Sequence, residues 1–177
     1  GLPVEKKESL RLPLLQYVNL IKIVPTFFYV GFLRPAPGTW GSLAGISLAY
    51  IVLEVTNLLI FCLFLILTIL IGFWTTKKYL EQNPKDSDPS EVVIDEVIGQ
   101  WIATLPIGYA VQFTQTSSEN YWIVWLWAFV SFRFFDIIKL GLVGWADNLG
   151  GVVGVILDDI LAGIAASLTV FVLLIMI

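Results

Sequence analysis

Apolar residues run in long stretches along most of this chain, and short polar segments separate them. A helix that crosses a bilayer needs about 20 mostly apolar residues. The stretches that approach this length are residues 41–55, 57–76, 91–112, 121–140 and 160–177. Residues 12–33 are weaker, because Lys22 and Pro25 interrupt them. We expect that segment to lie in the membrane interface or to insert only partly.

This pattern predicts an all-α fold, a polytopic integral membrane helical bundle with about five spans plus an N-terminal interfacial or partly inserted helix. Residues 1–11 carry mixed charges, and no small-residue cleavage site follows a clean apolar core, so they do not resemble a signal peptide. We expect them to form an N-terminal tail whose start could be a cloning remnant. Residues 12–177 are then a single membrane-embedded domain.

The composition supports a membrane protein and excludes much chemistry. Of the 177 residues, 58% are hydrophobic and 14% are charged, whereas a soluble domain carries roughly 25% charged residues. No basic stripe with interleaved aromatic residues appears, so we expect no nucleic-acid partner. The chain has no histidine, and its one cysteine, Cys62, lies inside an apolar run. Serine–histidine hydrolysis and cysteine-phosphatase chemistry are therefore excluded.

Basic residues predict the orientation of the spans. Lysine and arginine are frequent before residue 41 and in the polar loop 77–90, and they are absent from the loop 113–120. This distribution predicts that the N-terminus and the loop 77–90 lie in the cytoplasm. The starts of 91–112 and 160–177 and the end of 121–140 then meet at the cytoplasmic face.

Acidic residues stand at or beside the ends of several apolar stretches. They are Asp95, Glu96, Asp136, Asp147, Asp158 and Asp159. An ionised carboxylate near hydrocarbon is costly unless a cation, a metal ion or a water-filled cavity compensates it. Because the acids come from different segments, we expect one shared site that holds a divalent metal ion.

Simpler structural explanations exist for some of these acids. Acidic residues at a helix N-terminus suit the helix dipole, which accounts for Asp88 and Glu91. It accounts less well for Asp95 and Glu96, which valine and isoleucine flank. An N-cap could explain one residue of the Asp158–Asp159 pair, but hardly both.

Two further segments allow a structural or a functional interpretation. Arg133, Asp136 and Lys139 recur every third residue along one helical face. They could bind phosphate and metal, or they could form an ion ladder at the membrane boundary. The proline- and glycine-rich residues 34–42 predict a helix N-terminus. It could hold an anion, with Thr39 or Ser42 as hydroxyl donors, or it could simply be a capped helix entry with proline as a stop signal.

Taken together, four segments resemble the phosphatidylglycerophosphatase A family. They are APGTWGSLAG at 36–45, VVIDEVIGQWIA at 92–103, FRFFDIIK at 132–139 and GGVVGVILDDILAG at 150–163. The resemblance implies a phosphoric monoester hydrolase of phospholipid biosynthesis. It implies Mg²⁺-dependent hydrolysis of phosphatidylglycerophosphate to phosphatidylglycerol and inorganic phosphate. It also implies a multi-pass protein of the bacterial inner membrane with its active site at the cytoplasmic face, in contact with membrane lipids.

Carried onto the matching positions, the resemblance assigns roles to named residues. The catalytic residues and Mg²⁺ ligands are expected to be Asp95, Glu96, Asp136, Asp158 and Asp159. The residues expected to bind substrate phosphate are Gly38, Thr39, Ser42, Arg133 and Lys139. The number of metal ions, water attack against an aspartyl-phosphate intermediate, and the oligomeric state stay open. The family usually has prolines after the lysine, and Leu140-Gly141-Leu142 departs from that pattern, which leaves the lipid preference open.

The alternative function is a divalent-cation membrane transporter that uses the same carboxylates as a transit site. That function predicts acids spread along a path through the bilayer, whereas these acids cluster at one predicted face. It also gives no role to Arg133 and Lys139, since cations repel cations. A third possible function is a non-catalytic membrane scaffold, but that function does not explain the Asp158–Asp159 pair.

Overall fold

The computed structural model describes residues 20–84, 86, 88–114 and 121–177. Across these residues every regular element is helical, which confirms the all-α prediction. A 3-10 helix at Val30–Phe32 is followed by α1 (Pro37–Val55), α2 (Leu58–Gln82), α3 (Ile94–Thr114), α4 (Trp122–Ile138), α5 (Leu142–Asp147) and α6 (Gly151–Met176). The predicted tail 1–11, residues 12–19 and the loop residues 115–120 lie outside the described residues.

Three of the helices are long and apolar enough to cross a membrane: α1, α2 and α6. No more than 28% of the apolar stretch in each is buried, so most of its side chains face outward. An outward-facing apolar surface of this length suits hydrocarbon rather than water. The chain is therefore a membrane-associated protein.

The predicted count of five spans is not confirmed. Helices α3 and α4 form where two further spans were predicted, but α4 has 17 residues, fewer than the roughly 20 that a span needs. Helix α3 carries Asp95 and Glu96 in its first turn, and most of its residues are buried. It contacts α1, α2, α4 and α6. Other helices, rather than lipid, thus surround α3.

Glycines allow α1 and α6 to approach the central helix closely. A Cβ atom at Gly163 of α6 would collide with the carbonyl oxygen of Gly99 in α3. A Cβ atom at Gly45 of α1 would lie 3.1 Å from the Cα atom of Val97. Small residues at helix crossings are the usual means of close packing in membrane proteins. This packing sets the beginnings of α1, α3 and α6 side by side.

A small apolar cluster fixes α4 and α5 against α3 and α6. Phe132 of α4 is fully buried and belongs to the same cluster as Ala103, Val143 and Ala162. Close packing of this ring stabilises the contact through many dispersion contacts that are individually small and collectively large. The cluster holds the neighbouring residue, Arg133, at a defined height along the bundle.

Local signals set the helix ends. Pro37 occupies the first turn of α1, where a proline lacks only an N–H that would be unsatisfied anyway. The Asn57 side chain accepts a hydrogen bond from the Ile60 amide at 3.0 Å and caps α2. Gly150, with φ of 68°, precedes α6, and Gly151, with φ of 59°, is the first residue of that helix.

Two helices are longer than predicted, and one was not predicted. Helix α2 continues to Gln82, so Lys77 and Lys78 belong to the helix rather than to a polar loop. Helix α6 starts at Gly151, so Asp158 and Asp159 lie inside it rather than at its start. The short helix α5 fills the connection that precedes α6.

The described part of the predicted interfacial segment packs against α3. The Pro25 carbonyl accepts hydrogen bonds from the amides of Val93 and Ile94, at 2.8 and 3.1 Å. Amides at a helix start have no partner within the helix, so this carbonyl satisfies groups that would otherwise be orphaned. The contact fixes the start of α3, where the acidic residues lie.

Candidate active site

A pocket of about 390 Å³ opens at one end of the bundle. The beginnings of α1 and α3, the end of α4, the second and third turns of α6, and the segment before α3 surround it. Its charged lining residues are Asp88, Asp95, Glu96, Arg133, Asp136, Lys139, Asp158 and Asp159. Six acids against two bases would repel an anion, so the pocket needs added positive charge before it can accept a phosphate.

Three carboxylates meet at the bottom of this pocket. Asp95, Glu96 and Asp159 each offer an oxygen, and these oxygens lie within 4.8 Å of one another. Asp95 is 7% exposed and Asp159 is 3% exposed. One buried oxygen of each of the three has no hydrogen-bond partner among the described residues.

Such a group is costly as it stands, because buried like charges repel and unpaired buried oxygens lose their hydration. A bound cation would remove both costs. The donors are all carboxylate oxygens, which hard divalent cations prefer. Asp95, Glu96 and Asp159 therefore fit a metal ion.

The other two predicted metal ligands lie beside this group with basic partners of their own. Asp136 of α4 forms an ion pair with Arg133. It is close enough to Glu96 and Asp159 for their charges to interact. Asp158 accepts a hydrogen bond from Lys139 Nζ at 2.8 Å and another from the Asp159 amide at 3.0 Å.

Arg133 reaches the pocket beneath the start of α1. Besides its ion pair with Asp136, its Nη1 atom lies 3.4 Å from Ser42 Oγ, and its Nε atom is buried without a hydrogen-bond partner in the described chain. A Cβ atom at Gly38 would collide with a Glu96 carboxylate oxygen and lie 3.2 Å from Arg133 Nη1. Glycine at this position therefore lets the arginine and the glutamate meet.

Lys139 ends α4 in the left-handed conformation, with φ of 52°. Its ammonium group forms ion pairs with Asp147 and Asp158. Partial burial disfavours the charged amine, but the hydrogen bonds to Asp147 and Asp158 outweigh this and raise the pKa of Lys139 above its usual range. The lysine is thus a permanent positive charge at the pocket.

The predicted phosphate-binding residues of α1 divide into two groups. Gly38 and Thr39 line the pocket. Ser42 is fully buried behind it, where its hydroxyl donates to the Gly38 carbonyl at 2.8 Å. Ser42 therefore contacts Arg133 rather than the pocket itself.

Sequence reasoning missed two acidic residues. In the sequence, Asp147 is only an acid beside an apolar stretch, whereas the structure pairs it with Lys139. The helix dipole does not explain Asp88, because α3 begins only at Ile94 and the dipole acts within about one turn. Asp88 instead lines the pocket. Glu91, explained in the same way, accepts a hydrogen bond from the Tyr79 hydroxyl at 2.8 Å.

The fold and the pocket define a class: a membrane-associated helical bundle with a buried acidic site that fits a metal ion. A sequence model of the family described as Phosphatidylglycerophosphatase A matches residues 23–174. The chain belongs to the phosphatidylglycerophosphatase A family. The expected enzyme class, a phosphoric monoester hydrolase, is confirmed.

Two curated relatives match over most of their lengths. Phosphatidylglycerophosphatase A of Haemophilus influenzae is 36% identical over 155 residues, which cover 87% of this chain and 88% of the relative. A protein of Bacteroides thetaiotaomicron named putative phosphatidylinositol-3-phosphatase is 36% identical over 146 residues, covering 80% and 86%. No solved structure matches the chain. Neither the family nor the relatives support the transporter alternative.

Proposed function

We propose that this protein is a Mg²⁺-dependent lipid phosphatase that hydrolyses phosphatidylglycerophosphate to phosphatidylglycerol and inorganic phosphate in phospholipid biosynthesis. The observation that carries the proposal is the meeting of Asp95, Glu96 and Asp159 in one pocket with Arg133 and Lys139. Membership of the family and the name of the Haemophilus relative support the choice of substrate.

The metal would be held by the three converging carboxylates, with Asp136 and Asp158 as the further proposed ligands beside them. Orphaned oxygens on Asp95, Glu96 and Asp159 support this assignment. When bound, Mg²⁺ supplies positive charge that offsets the phosphate and assists attack at phosphorus.

The remaining residues bind and orient the phosphate. Arg133 lines the pocket, and its guanidinium has more N–H donors than the ion pair with Asp136 uses, so it can donate to a phosphate oxygen while its Nη1 atom stays paired. Lys139 supplies a second fixed positive charge, held by Asp147 and Asp158. Both cations stabilise negative charge that builds on phosphate oxygens in the transition state.

The first turn of α1 adds backbone donors. Gly38 and Thr39 line the pocket at the N-terminus of this helix, where amides lack partners within the helix. Such a helix start favours an anion through both its N–H groups and its dipole. In this proposal Ser42 acts indirectly, by holding Arg133.

We also propose that the pocket lies at the cytoplasmic face of a bacterial inner membrane. Lys77, Lys78 and Arg34 lie at or near the same end of the helices, and positive residues favour the cytoplasmic side. The acyl chains of the substrate would then stay in the inner leaflet while only the phosphate enters the pocket.

Phosphate release by the purified protein in detergent tests this function. With phosphatidylglycerophosphate we expect steady release in Mg²⁺, loss of release with a chelator, and recovery on adding Mg²⁺ back. Phosphatidylinositol 3-phosphate is the matched comparison, and we expect it to be the slower substrate. Absence of release from phosphatidylglycerophosphate would contradict the function, and release that survives chelation would contradict the metal dependence.

A further inference from the structure

A second cavity, an apolar groove of about 500 Å³, lies between α1 and α4. Leu43 and Tyr50 form its α1 wall, and Trp125, Leu126 and Phe129 form its α4 wall. Leu43, Tyr50 and Leu126 are exposed, so the groove opens outward on the flank of the bundle. We call it the α1–α4 groove.

The groove continues from the active-site pocket along both helices. Thr39 of α1 and Arg133 of α4 belong to the pocket, whereas Leu43 and Phe129 belong to the groove. Each pair is four residues apart, which is about 6 Å along a helix, and residues four apart share a helical face. One face of each helix therefore runs from the polar pocket into the apolar groove.

One of the residues that line the groove, Ser47, has a small side chain. Its hydroxyl donates to the Leu43 carbonyl at 2.7 Å, so its polarity is satisfied within α1. Further along, Tyr50 and Trp125 pack edge to face with their ring centres 5.4 Å apart and join the two walls. Between Leu43 and Tyr50 the groove follows α1 for about 10 Å.

We infer that the α1–α4 groove holds one acyl chain of the lipid whose phosphate occupies the pocket. The inference rests on the proposed function and adds a binding site for the second part of the same substrate. A lipid tail gains no hydrophobic free energy when it moves from bilayer to groove, because both are equally apolar. The groove instead orients the lipid, so that the phosphate enters in a restricted set of poses.

A second apolar groove provides an internal control. It has a volume of about 380 Å³ and lies between α4 and α6, with Trp127, Leu168 and Val172 in its lining. Val172 is thirteen residues beyond Asp159 on α6, which is about 20 Å along the helix. This groove is of similar size and polarity, but its α6 wall begins only at Leu168, nine residues or about 13 Å beyond Asp159, and Trp127 lies on a different face of α4 from Arg133.

Filling the groove tests the inference. With water-soluble dihexanoyl and micellar dioleoyl phosphatidylglycerophosphate as substrates, S47F should lower the ratio of kcat/KM for the long-chain over the short-chain lipid about tenfold. S47A, which keeps the space, and V172F, which fills the other groove, should leave the ratio unchanged. An unchanged ratio in S47F would overturn the inference. If the wild-type protein hydrolyses neither lipid, the proposed function itself fails.

Photolabelling of the wild-type protein tests the same site without relying on activity. The probe is a phosphonate analogue of phosphatidylglycerophosphate with a photoreactive group in its acyl chain. Peptides that contain residues 43–51 and 125–129 should be labelled at least about fivefold more than the α6 peptide around Val172. Phosphatidylcholine with the same photoreactive chain should label both regions equally. If the phosphonate probe labels the groove peptides and the α6 peptide equally, as phosphatidylcholine should, then bulk lipid fills the groove and the inference is overturned. This outcome would be decisive even if S47F misfolds.

Discussion

Asp158 and Asp159 are neighbours in the chain but have different surroundings. The side chain of Asp159 joins Asp95 and Glu96, whereas that of Asp158 accepts a hydrogen bond from Lys139. Successive residues on a helix point about 100° apart, so a doublet presents its two side chains to different partners. One pair of aspartates thus contributes both to the proposed metal site and to the position of Lys139, the proposed phosphate-binding cation.

Replacement of Asp159 by asparagine should abolish turnover without unfolding the protein. The change keeps the side-chain shape and removes one of three charges, so phosphate release should fall by about a thousandfold. With chelator present, the melting temperature should rise, because one buried like-charge repulsion is lost. Both quantities are measured on the detergent-purified protein, and D95N should behave in the same way.

Near-normal phosphate release from D159N or D95N would contradict their role as metal ligands. D86N is a matched control, because it makes the same chemical change at an exposed position outside the pocket lining. It should keep full activity.

Replacement of Asp147 by asparagine should reduce activity only partly. Lys139 would keep Asp158 as a partner, so we expect a loss of about tenfold in kcat/KM, against a hundredfold or more for K139M. The raised pKa of Lys139 keeps the amine protonated over the whole working range of pH. Each loss should therefore be constant between about pH 7 and 9. No loss in D147N would show that Asp158 alone positions the lysine.

At the scale of helices, close glycine contacts decide where the buried carboxylates of the pocket meet. The Gly99–Gly163 crossing joins α3 to α6 one turn beyond Glu96 and Asp159. These four positions lie on the contacting faces of the two helices, since residues three or four apart are neighbours on a helix. The backbone contact therefore sets the separation of the carboxylates.

Substitution of Gly163 by alanine should destabilise the fold and the site together. The added methyl group would collide with the Gly99 carbonyl, a backbone atom that cannot move alone, so we expect about 1–3 kcal/mol of destabilisation. Thermal unfolding in detergent measures the loss. The matched control is G72A, whose methyl group would meet the side chains of Ile94 and Ile98 at 3.2 and 3.3 Å. A melting temperature for G163A equal to that of G72A would contradict the crossing.

At the scale of the whole molecule, the polar residues gather at one end of an otherwise apolar bundle. Helices α1, α3 and α6 begin at this end, and α2 and α4 finish at it. Alternation in direction follows from short connections between long helices. In the proposed function, this arrangement lets a substrate phosphate reach the pocket from the water phase while the apolar flanks of α1, α2 and α6 contact hydrocarbon.

The proposed orientation predicts which end of the bundle is accessible from the cytoplasm. The substitution C62A first removes the native cysteine. Q82C then places a single cysteine at the pocket end of the bundle, and V55C places one at the opposite end; both positions are exposed. A membrane-impermeant maleimide should label Q82C in inside-out vesicles and V55C in intact spheroplasts, because positive residues favour the cytoplasmic side. The reverse labelling pattern would contradict a cytoplasmic active site.

Much of the helical framework could be predicted from apolar runs, because helices must satisfy their own backbone groups in lipid. Boundaries were less predictable: α2 extends through Lys77 and Lys78, since a charged side chain on an exposed helix surface costs little. The status of α3 as a buried helix depends on its neighbours. Its sequence is like that of a membrane-spanning helix with polar residues at one end. The packing of four other helices around it shows that lipid does not contact most of its surface.

The helical class, the apolar flanks and the acids and bases that can carry chemistry all follow from the amino-acid sequence alone. Which acids meet depends on the folded bundle: Asp159 meets Asp95 and Glu96, Asp158 meets Lys139, and Asp147 is the second partner of that lysine. The two kinds of information differ in the distance over which they act. Composition and periodicity act over one or two helical turns, whereas the separation of carboxylates on different helices depends on how closely their backbones pack.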